Sequence, residues 1–200
     1  MALTKNEETK ETKVMVEEYT GKTLDDLENE METPDLDVAP RIKAEQGGLT
    51  TSEGDDLGDE VIAELLSWNK LYVASSNDSS AEARKLTRYT HDPDIVIPDW
   101  EDPDTSMTAE EYIEHLKELG YENAKVKVYL ELTVMVDDDI YVVQASPQSK
   151  KGFDLFRVMT NKKLKDGKIT WSQATRIKIS AKKTKLGKFS FTKMTFSLVD

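Results

Sequence analysis

The chain has 200 residues, a formal net charge of −12 at pH 7 and no cysteine. The absence of cysteine excludes a disulfide scaffold, a cysteine-ligated zinc site and a thiol nucleophile. No apolar run approaches the roughly 18 residues that span a bilayer, and "MALTKNEETKETK" lacks the apolar core of a signal peptide. We therefore expect a soluble protein with no membrane partner, in the cytoplasm or in a particle assembled inside the cell.

The first sixty residues are strongly acidic, with 18 Asp and Glu against 6 Lys and Arg. Few large apolar residues are available there to offset chain entropy, so residues 1–58 are predicted to form an extended acidic arm, disordered in isolation or ordered by a partner. Thr23 is a candidate N-cap for a short helix within it. The arm is either a solubilising tail or a partner-binding segment. In the second case its apolar anchors are Met15, Val16, Leu24 and Leu27.

Three helices are predicted after the arm. Apolar residues recur at helical spacing in "DEVIAELLSWNKLYVA", which predicts a long first helix. Ser79 or Ser80 is expected to cap a second, shorter helix over "AEARKLTRY". Ser106 or Thr108 is expected to cap a third helix, which Gly120 ends. The buried stripe of this third helix is predicted to be Tyr112, Ile113, Leu116 and Leu119.

The rest of the chain is predicted to form strands. "KVKVYLELTVMV" alternates, so its residues 126, 128, 130, 132, 134 and 136 are expected on one face, and "IYVVQA" returns after the turn "VDDD". A loop, "SPQSKKG", is expected to precede a strand, "FDLFRVMT". Asp166-Gly167 is typical of a hairpin turn and would lead into "ITWSQATRIKIS". The last strand, "FSFTKMTFSL", changes phase between Phe191 and Met194, which predicts a bulge or a bend.

The order of these elements resembles the nuclear transport factor 2-like superfamily, which includes ketosteroid isomerase and polyketide cyclase relatives. Two short patterns add to the resemblance: "RYTHDPDIVIPDW", where the family places an aromatic residue, an aspartate turn and a short strand, and "LKDGKITW", which is similar to a common family hairpin. The resemblance covers about residues 59–180. It implies an α+β fold in which three N-terminal helices cover a curved antiparallel sheet, a cone-shaped, cystatin-like α+β roll. Residues 59–181 would form this domain, and residues 182–200 a basic loop with an additional C-terminal strand.

The resemblance also implies candidate catalytic residues. In the isomerase-like members an aspartate at the end of the short strand acts as base, and a tyrosine on the first helix donates to the oxyanion. Ile97 stands at the base position and cannot take a proton, so Asp99 is the substitute candidate and Tyr72 the candidate donor. His91 is a further candidate base, because histidine titrates near neutral pH. The alternative is structural, with Tyr72 in the core and both Asp99 and His91 in turns.

The acidic loop "DWEDPD" offers oxygen ligands for calcium or magnesium, but its spacing fits no EF-hand. A solvated loop is the simpler interpretation. The sequence contains no phosphate-binding glycine loop, nucleophile elbow or paired-histidine motif. We therefore expect neither a cofactor nor a metal.

The C-terminal region is basic, with 11 Lys and Arg against 2 acids in residues 160–200. A basic sheet face could bind nucleic acid through phosphates, although the net charge of −12 opposes such binding. The alternative is an acidic protein surface, namely the arm of the same chain or of a neighbouring subunit. The residues expected to contact that partner are Arg176, Lys178, Lys182, Lys183 and Lys185.

Two functions follow from these patterns. The first is a non-catalytic assembly or interaction protein, a homo-oligomer whose acidic arm docks on neighbouring subunits, with a virion or another large particle as one setting. The second is a small-molecule isomerase, cyclase or dehydratase that uses the pocket of the cone. The second function requires His91, Asp99 and Tyr72 to converge on one enclosed cavity.

Overall fold

A computed structural model describes residues 21–31, 39–45, 47–99, 102, 104–186 and 189–199 of the chain. The strands are β1 (Arg41–Glu45), β2 (Gly48–Thr51), β3 (Asp56–Gly58), β4 (Glu60–Ser75), β5 (Arg88–Thr90), β6 (Lys125–Val136), β7 (Asp139–Ala145), β8 (Arg176–Leu186) and β9 (Phe189–Leu198). The helices are a 3₁₀ turn (Leu24–Leu27), α1 (Ala81–Lys85), α2 (Ala109–Glu118), α3 (Pro147–Lys165) and α4 (Trp171–Thr175). Within the described ranges, no helix is both long enough and apolar enough to cross a membrane.

All nine strands belong to one sheet, in the order β3-β2-β1-β7-β6-β4-β8-β9, with β5 paired to β4. The pairing is antiparallel except between β1 and β7, which run parallel. The sheet is therefore mixed, whereas a purely antiparallel sheet was predicted. The sheet curls strongly. Its curvature brings β1 close to β9 and β2 close to β8 across the concave side, although these strands are not neighbours in the sheet. The fold is therefore α+β, as predicted, with a half-barrel sheet.

The long helix α3 fills the concave side of this half-barrel. Its buried side carries Phe153 and Phe156, which belong to the main hydrophobic core. The ring of Phe153 packs edge-on against Trp68 of β4, with centroids 5.7 Å apart, and against Phe196 of β9, with centroids 5.3 Å apart. A helix from the C-terminal half thus covers the sheet, and the prediction of three N-terminal helices is wrong.

The predicted first helix is the sixteen-residue strand β4. Its pairing with β6 shifts by one residue between Leu65 and Ser67, which is a β-bulge. Because the bulge changes the phase and both faces of the strand's middle are covered, Ser67, Trp68 and Asn69 are all buried in succession. A strand in which a bulge shifts the apolar period is easily mistaken for the broad apolar face of a helix.

The second and third predicted helices are confirmed in part. The second is α1, capped by Ser80, but it ends at Lys85, and the following "RYT" is strand β5. The third is α2, capped by Thr108 in a capping box with Glu111. Tyr112, Ile113 and Leu116 are buried as predicted, whereas Leu119 is exposed because the helix has already ended.

The strand in "DIVIPDW" was expected at the apolar run, but only Val96 contributes, through an isolated bridge to Met107. The short strand of this region lies earlier, at β5. Strands β6 and β7 form where the alternation predicts them, joined by a two-residue turn in which Asp137 and Asp138 both have positive φ. Such a turn matches the right-handed twist of a hairpin.

The segment expected as a loop, a strand and a hairpin turn is helix α3. Ser146 caps the helix by accepting a hydrogen bond from the Ser149 amide, and Pro147 stands at the first turn, where its missing amide costs nothing. Gly167, with φ of 65°, ends the helix instead of turning a hairpin. Serine, proline and glycine here mark the two ends of a helix.

The C-terminal strands differ from expectation in detail. "TWSQAT" is not part of a strand, because Thr170 caps the short helix α4 before β8 begins at Arg176. Strand β9 is confirmed, but the predicted bulge between Phe191 and Met194 is wrong, since the register with β8 is continuous there. Strand β8 runs without a break through residues 181 and 182. The end of the domain and the start of a basic loop were predicted there.

The residues of the expected acidic arm that the structure describes belong to the sheet domain. Residues 41–58 form β1, β2 and β3 of the same sheet. Thr23 caps the 3₁₀ turn as predicted, but Leu24 is fully buried in the core of its own chain. Strands β8 and β5 pair with the two ends of one edge of β4 and leave its middle uncovered. Residues 28–31 lie along this middle part, where Glu28 forms an isolated bridge with Trp68. Met15 and Val16 lie outside the described residues.

Candidate functional site

His91 contacts a buried carboxylate on the convex face of the sheet. His91 Nε2 donates to Glu131 Oε2 at 2.8 Å. Glu131 lies in the middle of β6, where its side chain is 2% exposed, while that of His91 is 45% exposed. The pair therefore joins the segment after β5 to the sheet.

Glu131 has two further partners. Arg41 on β1 donates from a terminal guanidinium nitrogen to Glu131 Oε1 at 2.6 Å, and Gln144 Nε2 on β7 lies 3.4 Å from the same oxygen. Burial raises the pKa of Glu131, but the hydrogen bonds from His91 and Arg41 and the charge of Arg41 outweigh it, so the pKa lies below its ordinary value. Glu131 is thus an ionised carboxylate on β6 that contacts β1, β7 and the segment after β5.

The three candidate catalytic residues do not form one constellation. Asn69 pairs with Glu131 across β4 and β6, and Tyr72 follows Asn69 by three residues in continuous register. An odd separation along a strand places side chains on opposite faces, so Tyr72 lies on the other side of the sheet from His91. Asp99 is exposed in the loop before α2. The convergence on which the enzyme hypothesis depends is absent.

Arg88, which was not singled out in the sequence, holds this loop in place. Its buried guanidinium donates to the carbonyl oxygens of Lys85, Ile97 and Pro98, at 2.6 to 3.1 Å. Tyr112 on α2 donates to the Leu86 carbonyl at 2.7 Å. The carbonyl oxygens thereby supply hydrogen-bond partners for the guanidinium of Arg88, which is buried. Arg88 is therefore a structural clamp, and Ile97 sits in the loop that it orders.

The described residues contain no group of three or more His, Asp or Glu side chains that could hold a metal ion. Asp102 instead accepts a hydrogen bond from the Thr105 hydroxyl at 2.7 Å, as a turn residue does. A cavity of about 650 Å³ at the end of β4 is open to solvent and lined by Glu64, Met135 and Arg176 among others. His91, Asp99 and Tyr72 do not line it.

The convex face of the β8–β9 hairpin is basic. Cross-strand register places the side chains of Arg176, Lys178 and Lys182 on this face, away from the buried Ile177 and Ile179. Lys193 lies directly opposite Lys182, an unfavourable pair of like charges. Within the described residues, the one ion pair on this face joins Lys178 Nζ to Glu60 Oε2 at 3.9 Å. Lys183 and Lys185 are exposed on the other side of the hairpin near its tip. We call the set Arg176, Lys178, Lys182 and Lys193 the basic face.

A region of opposite charge lies at the other end of β4. Residues 76–122, which include α1, β5 and α2, carry 13 acids and 4 bases, and we call them the acidic unit. Glu110, Glu114 and Glu118 recur at helical spacing on the exposed side of α2. Leu119 and Ile95, both large and apolar, are exposed in the same unit.

Helix α3 carries an exposed apolar stripe on the side that faces away from the sheet. Leu155, Val158 and Met159 are 63%, 60% and 56% exposed, and their spacing places them together on one helix face. Exposed lysines flank the stripe at Lys151, Lys162 and Lys163. We call these three apolar residues the α3 stripe.

The fold and these surfaces define an α+β protein with a curled, mixed half-barrel sheet around one long helix. Comparison with protein-family models, with curated proteins and with solved structures finds no match for this chain. The resemblance to the nuclear transport factor 2-like superfamily therefore stays a prediction.

Proposed function

We propose that this chain is a non-catalytic assembly protein whose copies associate head to tail, the acidic unit of one copy on the basic face of the next. The observation that carries the proposal is the separation of charge along β4. Strand β8 pairs with Glu60–Glu64 at one end of β4, and β5 pairs with Tyr72–Ala74 at the other. At 3.3 Å per residue, Ile62 and Val73 are up to about 36 Å apart.

The basic face and the acidic unit complement each other in charge, and each also has an exposed apolar residue. Ile62, which pairs with Lys178, is an exposed apolar residue beside the basic face, and Leu119 is its counterpart beside the glutamates of α2. An apolar contact inside a ring of opposite charges is a common form of specific interface. Because the two surfaces differ, the contact is heterologous and builds rings or filaments. Such extended association suits a component of a virion or another large particle.

The enzyme hypothesis is not carried forward, because His91 and Tyr72 lie on opposite faces of the sheet. Nucleic acid is a weaker partner for the basic face than a second copy of the chain, since the acidic unit repels phosphates and attracts this face. Arg176, Lys178 and Lys182 keep their predicted partner-binding roles in the proposal, and Lys193 joins them. Lys183 and Lys185 lie on the other side of the hairpin, outside the proposed interface.

The test uses two charge-reversal variants of the full chain, Lys182→Glu/Lys193→Glu and Glu110→Lys/Glu114→Lys/Glu118→Lys, studied by analytical ultracentrifugation. The unmodified chain should self-associate, and each variant alone should be monomeric. Mixing the two variants should restore association, because the intact acidic unit of the first variant meets the intact basic face of the second and their two reversed surfaces also carry opposite charge. The control, Lys162→Glu/Lys163→Glu on α3, makes the same charge change as the first variant and should leave association intact.

Two results would contradict the proposal. One is an unmodified chain that stays monomeric at high concentration and low salt. The other is a mixture of the two variants in which no complex forms. Removal of residues 1–58 is not a valid test of assembly, because it deletes β1, β2 and β3 together with the core residue Leu24.

A further inference from the structure

The α3 stripe lies on a helix face whose charges are all positive. The opposite side of α3 packs into the core through Phe153 and Phe156. The exposed residues of the helix are Gln148, Lys151, Gly152, Leu155, Val158, Met159, Lys162, Lys163 and Lys165. None of them is acidic, and within the described part of the chain none of the four lysines forms an ion pair. The stripe is therefore an apolar patch with a cationic rim.

The lysines stand at both ends of the stripe. Lys151 precedes Leu155 by four residues. Lys162 follows Val158 by four residues. Side chains at this spacing are neighbours on one helix face. From residue 151 to residue 163 the helix rises about 18 Å. The face is thus a ridge that is apolar in its middle and cationic at each end.

The acids around this ridge are either paired or distant. Asp154 in α3 and Asp166 at its end each form an ion pair with a lysine, at 2.7 and 3.0 Å. The glutamates of α2 lie further away, because α2 packs on Ala74 of β4 whereas α3 packs on Trp68. Six residues of strand separate these positions by about 20 Å. This is more than twice the Debye length of about 8 Å in physiological salt, so the positive charge of the ridge is available to a partner.

A second copy of the chain does not suit the ridge. When two α3 helices pack antiparallel about their stripes, residue 151 of one copy lies near residue 163 of the other, and both are lysines. When they pack parallel, each lysine faces its own equivalent. Both orientations bring like charges together, which opposes association. Three side chains also cover far less than the roughly 800 Å² per partner of a stable interface.

We infer that the α3 stripe is a contact site for the surface of an anionic lipid bilayer. Such a surface presents negative headgroups above an apolar layer. With α3 lying flat on it, Leu155, Val158 and Met159 enter the boundary between headgroups and acyl chains, to a depth of about 5–10 Å. The flanking lysines keep their ammonium groups among the headgroups while their stems lie along apolar surface. A bilayer needs no matching groove, whereas a protein partner needs one to receive a convex ridge.

The inference goes beyond head-to-tail association and does not depend on it, because the basic face and the acidic unit share no residue with the α3 stripe. It departs from the expectation that the protein has no membrane partner. The contact is peripheral, with the helix in the plane of the interface. Three apolar side chains and a few lysines give weak, reversible binding that falls with ionic strength.

Vesicle flotation tests the inference with the full chain. The chain should float with vesicles of mixed phosphatidylserine and phosphatidylcholine, and much less with vesicles of phosphatidylcholine alone. Lys162→Glu/Lys163→Glu should weaken binding to the mixed vesicles about tenfold or more, because it replaces attraction to the headgroups by repulsion. Leu155→Ser/Val158→Ser/Met159→Ser should weaken it by a similar factor, because it removes the inserted apolar groups.

The matched control is Lys43→Glu/Lys125→Glu, which makes the same charge change as the lysine variant of α3. Both lysines are exposed on the convex face, since they lie an even number of residues from Arg41 and Glu131 on their strands. Because α3 is on the concave side, this control should leave binding to the mixed vesicles within about twofold. Circular dichroism verifies that each variant is folded.

A fluorescent label locates the contact, because the chain has no cysteine of its own. Met159→Cys carrying an environment-sensitive dye should become brighter on the mixed vesicles and should be quenched by a nitroxide in the acyl chains. Leu119→Cys with the same dye should respond little, since it lies on α2. The two positions are 56% and 54% exposed, so neither replacement threatens the fold.

Four results would overturn the inference. The first is an unmodified chain that does not float with the mixed vesicles. The second is equal flotation of the unmodified chain and the serine variant, and the third is an equal dye response at residues 119 and 159. The fourth is binding of the unmodified chain to a synthetic acidic amphipathic peptide without binding to vesicles, because the stripe would then be a docking site for protein.

Discussion

His91 and Glu131 are forty residues apart in sequence, yet Nε2 of the first lies 2.8 Å from Oε2 of the second. Glu131 is the buried partner and His91 the exposed one. The contact fixes the segment after β5 against the middle of β6, and Arg41 extends it to β1. A single carboxylate thus joins the first part of the sheet to its centre.

Replacing Glu131 by glutamine should therefore destabilise the fold. The amide keeps the shape of the side chain but loses the charge, which leaves the Arg41 guanidinium in a covered position without its counter-ion. We expect a loss of about 1.5–3 kcal/mol in the free energy of unfolding, the range for hydrogen bonds to charged groups. Urea denaturation measures it, with Glu118→Gln on the exposed side of α2 as the control, expected within about 0.5 kcal/mol. An equal effect of both substitutions would contradict the role assigned to Glu131.

The same carboxylate should contribute to acid sensitivity. The pKa of Glu131 in the folded chain lies below its ordinary value of 4.5, so the unfolded chain binds more protons between the two values. Its contribution to stability is complete above pH 4.5 and is lost as pH falls through the folded pKa. Urea midpoints measured between about pH 3 and 6 should fall less steeply for Glu131→Gln than for the unmodified chain. Parallel curves would show that Glu131 titrates normally.

Leu24→Ala should cost about 2–5 kcal/mol, as expected for truncating a leucine in a packed core. Leu24 is fully buried among core residues that include Trp68 and Phe153, and its carbonyl accepts a hydrogen bond from Trp68 Nε1 at 2.8 Å. Leu119→Ala, at an exposed position, should change the unfolding free energy by less than about 0.5 kcal/mol. If the two substitutions had similar effects, residues 21–31 would be an arm apart from the domain.

Two glycines test the helical state of residues 147–165. Gly152 lies inside α3 with nothing within 4 Å of an added Cβ, so Gly152→Ala should stabilise the protein by about 0.5–1 kcal/mol. Gly167 has φ of 65° at the end of the helix, so Gly167→Ala should destabilise it by about 1–2 kcal/mol. Thermal unfolding monitored by circular dichroism measures both. A loss of stability in Gly152→Ala would argue against the helix.

The accuracy of sequence interpretation varied with how each element is buried. Strand β6 and helix α2 were predicted with their correct bounds or caps, because alternation and a capping box are local signals. Strand β4 was mistaken for a helix because a bulge and two covered faces removed its period of two. Helix α3 was missed because its exposed face carries Leu155, Val158 and Met159, which blur the contrast between the two sides of the helix.

The candidate site was harder to predict than the elements. His91 was singled out as a candidate base, and its contact with Glu131 was not predicted, because Glu131 stands at a position of β6 that alternation assigns to solvent. No local signal says that the convex face is covered there. An acid within an otherwise apolar strand centre was the one available hint, and its partners come from β1, β7 and the segment after β5.

The way in which residues 28–31 complete the edge of β4 bears on how the chain folds. Their neighbours on the sheet lie some forty residues later, and the 3₁₀ turn before them is held by Asn161, more than a hundred and thirty residues later. Contacts of such sequence separation form late and slow the folding reaction. We expect the residues synthesised first to reach their final positions among the last, which pulse-labelling hydrogen exchange would show as late protection of the Leu24 and Asn29 amides.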